Sequence, residues 1–128
     1  MATYTFNKRE KLKSRKSIES LFRSGSTFSS PPFRLLYRKV EDLPVPVQMT
    51  VAIPKRSVRR AVDRNLLKRR TREAYRLQKN SLLKKVTEKK ACYQILLLYH
   101  SDGIADFRTI QSAVRVLLTR LEQAVDKQ

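Results

Sequence analysis

A chain of 128 residues, 41% of them apolar, can bury one core of ordinary size. Its 29 Lys and Arg against 11 Asp and Glu give a net charge of +18, which repels itself and calls for an anionic partner. No apolar run nears the ~20 residues of a membrane span, and the lone Cys92 excludes an internal disulfide.

The start, "MATYTFNKREKLKSRK", is basic but lacks the apolar stretch of a secretory signal, so export is not expected. The single thiol fits a reducing cytoplasm. Nucleic acid, acidic protein or anionic lipid would each neutralise the chain. Clustering of the charge along two segments favours nucleic acid over a merely solvated basic surface.

In chain order, "SRKSIESLFRSG" places Ile18, Leu21 and Phe22 at helical spacing. A helix is predicted over about 15–24, with Ser14 as N-cap and Gly25 as a left-handed C-cap. "PFRLLYRKV" reads as a strand with Phe33, Leu35 and Tyr37 on one side and Arg34, Leu36 and Arg38 on the other. "EDLPVP" is a turn. "VQMTVAIP" alternates again, burying Val47, Met49, Val51 and Ile53 and leaving Gln48, Thr50 and Ala52 opposite. Residues 58–79 contain no glycine or proline and predict a long helix capped by Ser57. "ACYQILLLYH" is nearly continuous apolar sequence, as in a central strand covered on both faces. The last segment carries Phe107, Ile110, Ala113, Val114, Leu117, Leu118 and Leu121 at helical spacing, an amphipathic helix to cover the sheet. These elements predict one α/β or α+β sandwich over residues 1–128, with mobile ends at about 1–7 and 125–128.

In "SVRRAVDRNLLKRRTREAYRLQK", Arg60, Arg64, Lys68, Arg72 and Arg76 follow one another at four-residue steps, with Asn65 and Arg69 beside them. Such a row forms a ridge along one side of a helix. Val62, Leu66, Leu67, Ala74 and Leu77 remain to pack on the sheet. Like charges four apart destabilise an isolated helix, so phosphates opposite are the natural compensation. Arginine predominates, and its planar fork suits phosphate oxygens. A solvated charged face usually mixes signs; this one does not.

The string "PKRSVRRAVDRNLLKRRTREAYR" resembles the signature of the bacterial ribonuclease P protein family: Arg64, Asn65, Lys68, Arg69, Arg72 and Glu73, preceded by Lys55, Arg56, Ala61 and Val62. The likeness extends through "KLKSRKSIESLFRSG" and the strand at Phe33, and thins after about residue 80. It implies a protein that binds a catalytic RNA and helps it remove 5′ leaders from precursor tRNA, as a protein monomer in a 1:1 complex. The RNA and its Mg²⁺ would perform the hydrolysis, with no cofactor held by the protein alone. It further implies that Lys55, Arg56, Arg60, Arg64, Asn65, Lys68, Arg69, Arg72 and Arg76 meet the catalytic RNA, while Glu73 pairs with Arg69 or Arg70. A cleft between the first helix and the sheet would hold the single-stranded leader at Ile18, Phe22, Arg34, Leu36, Arg38, Thr50 and Ala52. Ile18 stands where relatives often carry phenylalanine, and Leu36 where many carry tyrosine, so leader stacking would be weaker and lean on Phe22 and on Arg34 and Arg38. The implied fold is a small mixed sheet of αβββαβα-type order, ribosomal protein S5 domain 2-like, with a left-handed βαβ crossover through the basic helix. Pattern alone predicts the common right-handed one. The implied order also contains one edge strand more than the three read from the sequence.

No catalytic constellation or metal-ligand set is visible. His100 and Cys92 stand singly, and the carboxylates are dispersed among basic residues. The rival readings are an RNA-binding structural protein, which needs charge but no fixed register, and a DNA-binding module, for which no helix-turn-helix, zinc or zipper pattern appears. A membrane-surface helix lacks the large apolar face it requires.

Overall fold

The computed structural model describes residues 6–127. A 3₁₀ turn at Lys8–Glu10 leads into α1 (Arg15–Ser24), then β1 (Ser26–Ser30), β2 (Phe33–Val40), β3 (Val47–Ala52), α2 (Ala61–Gln78), α3 (Asn80–Glu88), β4 (Cys92–Tyr99) and α4 (Phe107–Asp126). The sheet order is β1-β2-β4-β3, antiparallel except for the parallel pair β3 and β4, which α2 and α3 connect. The result is the small mixed sheet and α+β sandwich expected, with β4 central.

Alternation along the strands sorts the two faces. Phe33, Leu35, Val47, Met49, Val51, Ile95 and Leu97 face α2, α3 and α4, where Leu67, Ala74, Val86, Val114, Leu117 and Leu121 complete the main core. Tyr37 belongs to this side, as expected, with its ring stacked on Phe28 at 5.2 Å. On the other face, Leu36 and Leu96 are buried with Leu12 and with Leu21 of α1. Helices therefore cover both faces of the sheet.

Several local expectations are corrected. The edge strand missing from the sequence reading is β1, whose serine and threonine hide its alternation; it turns into β2 through the cis Pro31–Pro32 bond. Ser57 does not cap α2. The amides of Ser57 and Val58 both donate to the Pro54 carbonyl, and Val58 is buried, so the chain completes a turn before the helix starts at Ala61. α3 adds a helix to the expected order; its nine residues bury Leu82 and Val86. The buried face of α2 is Leu67, Thr71, Ala74 and Tyr75. Val62 (59% exposed) and Leu77 (39%) point outward and Leu66 is half-buried, because the sheet and α4 meet a different side of the helix.

Ser14 caps α1 as expected, accepting from the Ser17 amide. Gly25 is not left-handed: its φ is −72°. What requires glycine there is space, since a Cβ would lie 2.6 Å from the Leu21 carbonyl oxygen. We therefore expect Gly25→Ala to force open the last turn of α1 and lower stability by about 1–3 kcal/mol, measured as a fall in the urea midpoint at unchanged m-value.

At the chain ends, residues 1–5 and 128 lie outside the described residues. Asn7 caps the 3₁₀ turn, in a capping box with Glu10, and Phe6 packs edge-on against Tyr75. Val125 is buried in the last turn of α4.

Candidate nucleic-acid interface

The basic row on α2 divides in three dimensions. A four-residue step advances 400° around a helix, so the row drifts by about 40° per member. Within the helix it passes from half-buried Arg64 through Lys68 to exposed Arg72. Arg64 falls near the core side and serves as a brace, its Nη1 donating to the carbonyls of Val58 (3.0 Å) and Arg59 (2.7 Å). Arg60 lies 3.9 Å from the Asp63 carboxylate. Arg76 forks onto Glu73, with Nε–Oε2 at 3.0 Å and Nη2 on Oε1. This bond holds the Glu73 carboxyl below its ordinary range and the Arg76 guanidinium above its own. Glu73 thus pairs with Arg76 rather than Arg69 or Arg70. Arg70 instead donates to the Ala105 carbonyl at 2.6 Å and ties α2 to the segment entering α4.

Asn65, Arg69 and Arg72 are exposed, and Lys68 is half-exposed. None of these three cations meets a carboxylate among the described residues. At steps of three and four they share one outward flank of α2. Lys55 and Arg56, also exposed, lie in the turn that precedes the helix. On α2 and its entry turn the cations that meet no carboxylate therefore form a narrower patch than the full row from Arg60 to Arg76.

The second predicted surface is the α1 face of the sheet. Strand register lays it out in three rows: Arg34–Leu98–Ala52, Leu36–Leu96–Thr50 and Arg38–Gln94–Gln48. In the middle row Leu36 and Leu96 are buried under α1, so Leu36 is floor rather than open surface; Thr50 at its end is half-buried. The row containing Arg34 keeps an accessible flank, where Ile18, Ala52 and Leu98 pack partly buried and Phe22 stands 53% exposed. Arg38 is four residues from Arg34, about 13 Å along the strand. It belongs to a different environment. Its guanidinium donates to Gln94 Oε1 (3.2 and 3.3 Å), Gln94 Nε2 to Gln48 Oε1 (3.2 Å), and Gln48 Nε2 to the Arg9 carbonyl (3.2 Å). Ile18 and Ala52 thus pack on one cluster, Arg34 lies in the strand row that ends at Ala52, Phe22 stands exposed one turn beyond Ile18 on α1, and Arg38 lies past the covered centre.

Sequence reasoning missed this glutamine chain and a buried ion pair. The one available signal for the first was a polar Gln94 inside an otherwise apolar strand. The pair is Glu10 and Lys79, both buried, with the Lys79 ammonium 5.8 Å from the Phe6 ring centre. The nearby Tyr75 hydroxyl is buried with no hydrogen-bond partner, and burial pushes its pKa up. Among the described residues no three or more His, Cys, Asp or Glu side chains come together. His100 is exposed just after β4, and no described helix is long and apolar enough to cross a membrane.

This sandwich is the fold of bacterial ribonuclease P proteins. It superposes on the Staphylococcus aureus RNase P protein with a TM-score of 0.72 at 16% identity, covering 88% of this chain and 94% of that one. The Thermotoga maritima RNase P protein gives 0.67 at 21% identity, over 87% and 96%. The family model described as Ribonuclease P matches residues 6–122, and the chain belongs to that family. Among its relatives, the ribonuclease P protein component of Porphyromonas gingivalis is 37% identical over 121 residues, 94% of this chain and 88% of the relative. That of Chlorobaculum tepidum is 33% identical over 115 residues, covering 82% and 75%. Membership makes the chain the protein partner of a ribonuclease P RNA, in an endoribonuclease that processes tRNA.

Proposed function

We propose that this protein docks on the catalytic RNA through the outward flank of α2 and holds the 5′ leader of precursor tRNA in the groove beside α1. One observation carries the reading: Lys68, Arg69 and Arg72 share a flank with Asn65 and face no carboxylate among the described residues. Phosphates are the partners whose charge and geometry match such a flank. Lys55 and Arg56 extend it at the head of the helix. Arg60, Arg64 and Arg76 shape it from within, by holding the entry loop and the carboxylates of Asp63 and Glu73.

In this reading the hydrolytic step belongs to the RNA, with Mg²⁺ held by its phosphates, and among the described residues no carboxylate cluster competes for that role. The protein binds and orients. In the groove, Phe22 and Ile18 offer an apolar wall for unstacked bases, and Arg34 a cation for the backbone. Arg38, Thr50 and Ala52 line the remainder of the sheet face, and buried Leu36 supports it. One protein monomer acts per RNA, in the cytoplasm.

The test is equilibrium binding by the reconstituted complex. A Phe22→Ala, Arg34→Ala variant is expected to lose about tenfold or more in affinity for leader-bearing precursor, since one base stack contributes ~1–3 kcal/mol. Affinity for mature tRNA should stay unchanged. Equal losses on both ligands would remove the leader groove from the account.

A further inference from the structure

The 3₁₀ turn, the segment that follows it and the first turn of α1 carry Lys8, Arg9, Lys11, Lys13, Arg15 and Lys16, all exposed, and the reading above uses none of them. The one acid among them, Glu10, turns inward to Lys79. None of the six cations meets a carboxylate among the described residues.

The segment has a fixed seat. The Leu12 amide donates to the Met49 carbonyl at 3.0 Å, and Lys11 bridges Met49 in parallel fashion, so the chain runs along the open edge of β3. The Leu12 side chain is buried with Leu21, Leu36 and Leu96 beneath α1. Glu10 binds the Asn7 amide through Oε2 and Lys79, at the junction of α2 and α3, through Oε1. The Arg9 carbonyl receives Gln48, the end of the chain of side chains that starts at Arg38.

This seat lies at one end of the α1 groove. Arg15, Ile18 and Phe22 follow at steps of three and four and share a flank of α1. The row Arg34–Leu98–Ala52 ends at β3, the strand whose edge the segment covers. A strand lying along Phe22 and Ile18 therefore leaves the groove onto Arg15, Lys13 and Lys11.

We propose that Lys8–Lys16 is a phosphate track for single-stranded RNA, gripping leader nucleotides beyond those in the groove, and that Glu10 is a positioning residue that sets it. The proposal rests on the leader-groove reading and adds a dependence on leader length. Cations fixed in place bind without the ordering cost of a loose tail, which gives the inward carboxylate its purpose.

The experiment uses the reconstituted complex and two precursor tRNAs, one with a leader just long enough to cross the sheet and one with a markedly longer leader. The variant Lys8→Ala, Arg9→Ala, Lys11→Ala, Lys13→Ala should lose several-fold in affinity for the long-leader precursor and little for the short. Its log affinity against log salt slope should shrink by ~0.7 per lost contact on the long leader only. Equal losses on both precursors, or none, would overturn the track. Failure of the Phe22 and Arg34 variant to separate precursor from mature tRNA would instead overturn the groove, leaving the length comparison as its own readout. Glu10→Gln, assayed where it remains folded, should reproduce the long-leader loss. Lowered stability with an unchanged salt slope would make Glu10 structural and end its positioning role.

Discussion

Glu10→Ala is expected to destabilise the protein by about 3–5 kcal/mol, the usual effect of removing one member of a buried ion pair. Lys79 is completely inaccessible, and the substitution takes away the carboxylate it faces. It also removes the acceptor for the Asn7 amide, so the capping box fails with the pair. The double variant Glu10→Gln, Lys79→Met, which keeps volume and removes both charges, should recover much of the loss. Denaturant unfolding of the two single variants and the double checks this. Additive losses in the double variant would show that charge pairing is not what holds the N-terminal segment down.

The second large effect concerns RNA. Replacing Lys68, Arg69 and Arg72 by alanine should flatten the log affinity against log salt slope for the ribonuclease P RNA by about 2–3, at ~0.7–0.9 per phosphate contact. At low salt that amounts to a loss of orders of magnitude. Stability should hardly change, because neither Arg69 nor Arg72 is buried and none of the three forms a described ion pair. The same change at Arg64 should behave differently, costing stability along with affinity, since Arg64 holds the carbonyls of Val58 and Arg59.

These contrasts mark what was legible in the sequence. Strand alternation placed Tyr37 in the core and Leu36 opposite, and the apolar run at 91–100 placed β4 at the centre. Helical spacing placed α1 and α4. The composition of α2 pointed to an anionic partner, yet the row read along it gave no sign that Arg64 braces the entry loop or that Arg76 forks onto Glu73. A four-residue step looks straight on paper but winds around the helix, and backbone carbonyls in the entry loop compete for Arg64. β1 was hidden because serine and threonine carry little hydrophobic pattern. The Glu10–Lys79 pair joins positions 69 apart in sequence, and no local rule connects them. Gly25 was recognised as special for the wrong reason: crowding by Leu21, not backbone handedness.

The account turns on whether this chain makes a ribonuclease P RNA work on its substrate. Titrating the protein into the ribonuclease P RNA from the same cell, with precursor tRNA and Mg²⁺ present, tests that directly. Cleavage at the leader junction should rise above that of the RNA alone and level off at one protein per RNA, while the protein by itself releases nothing. Cleavage by the protein without RNA, or no stimulation at any ratio, would contradict the account.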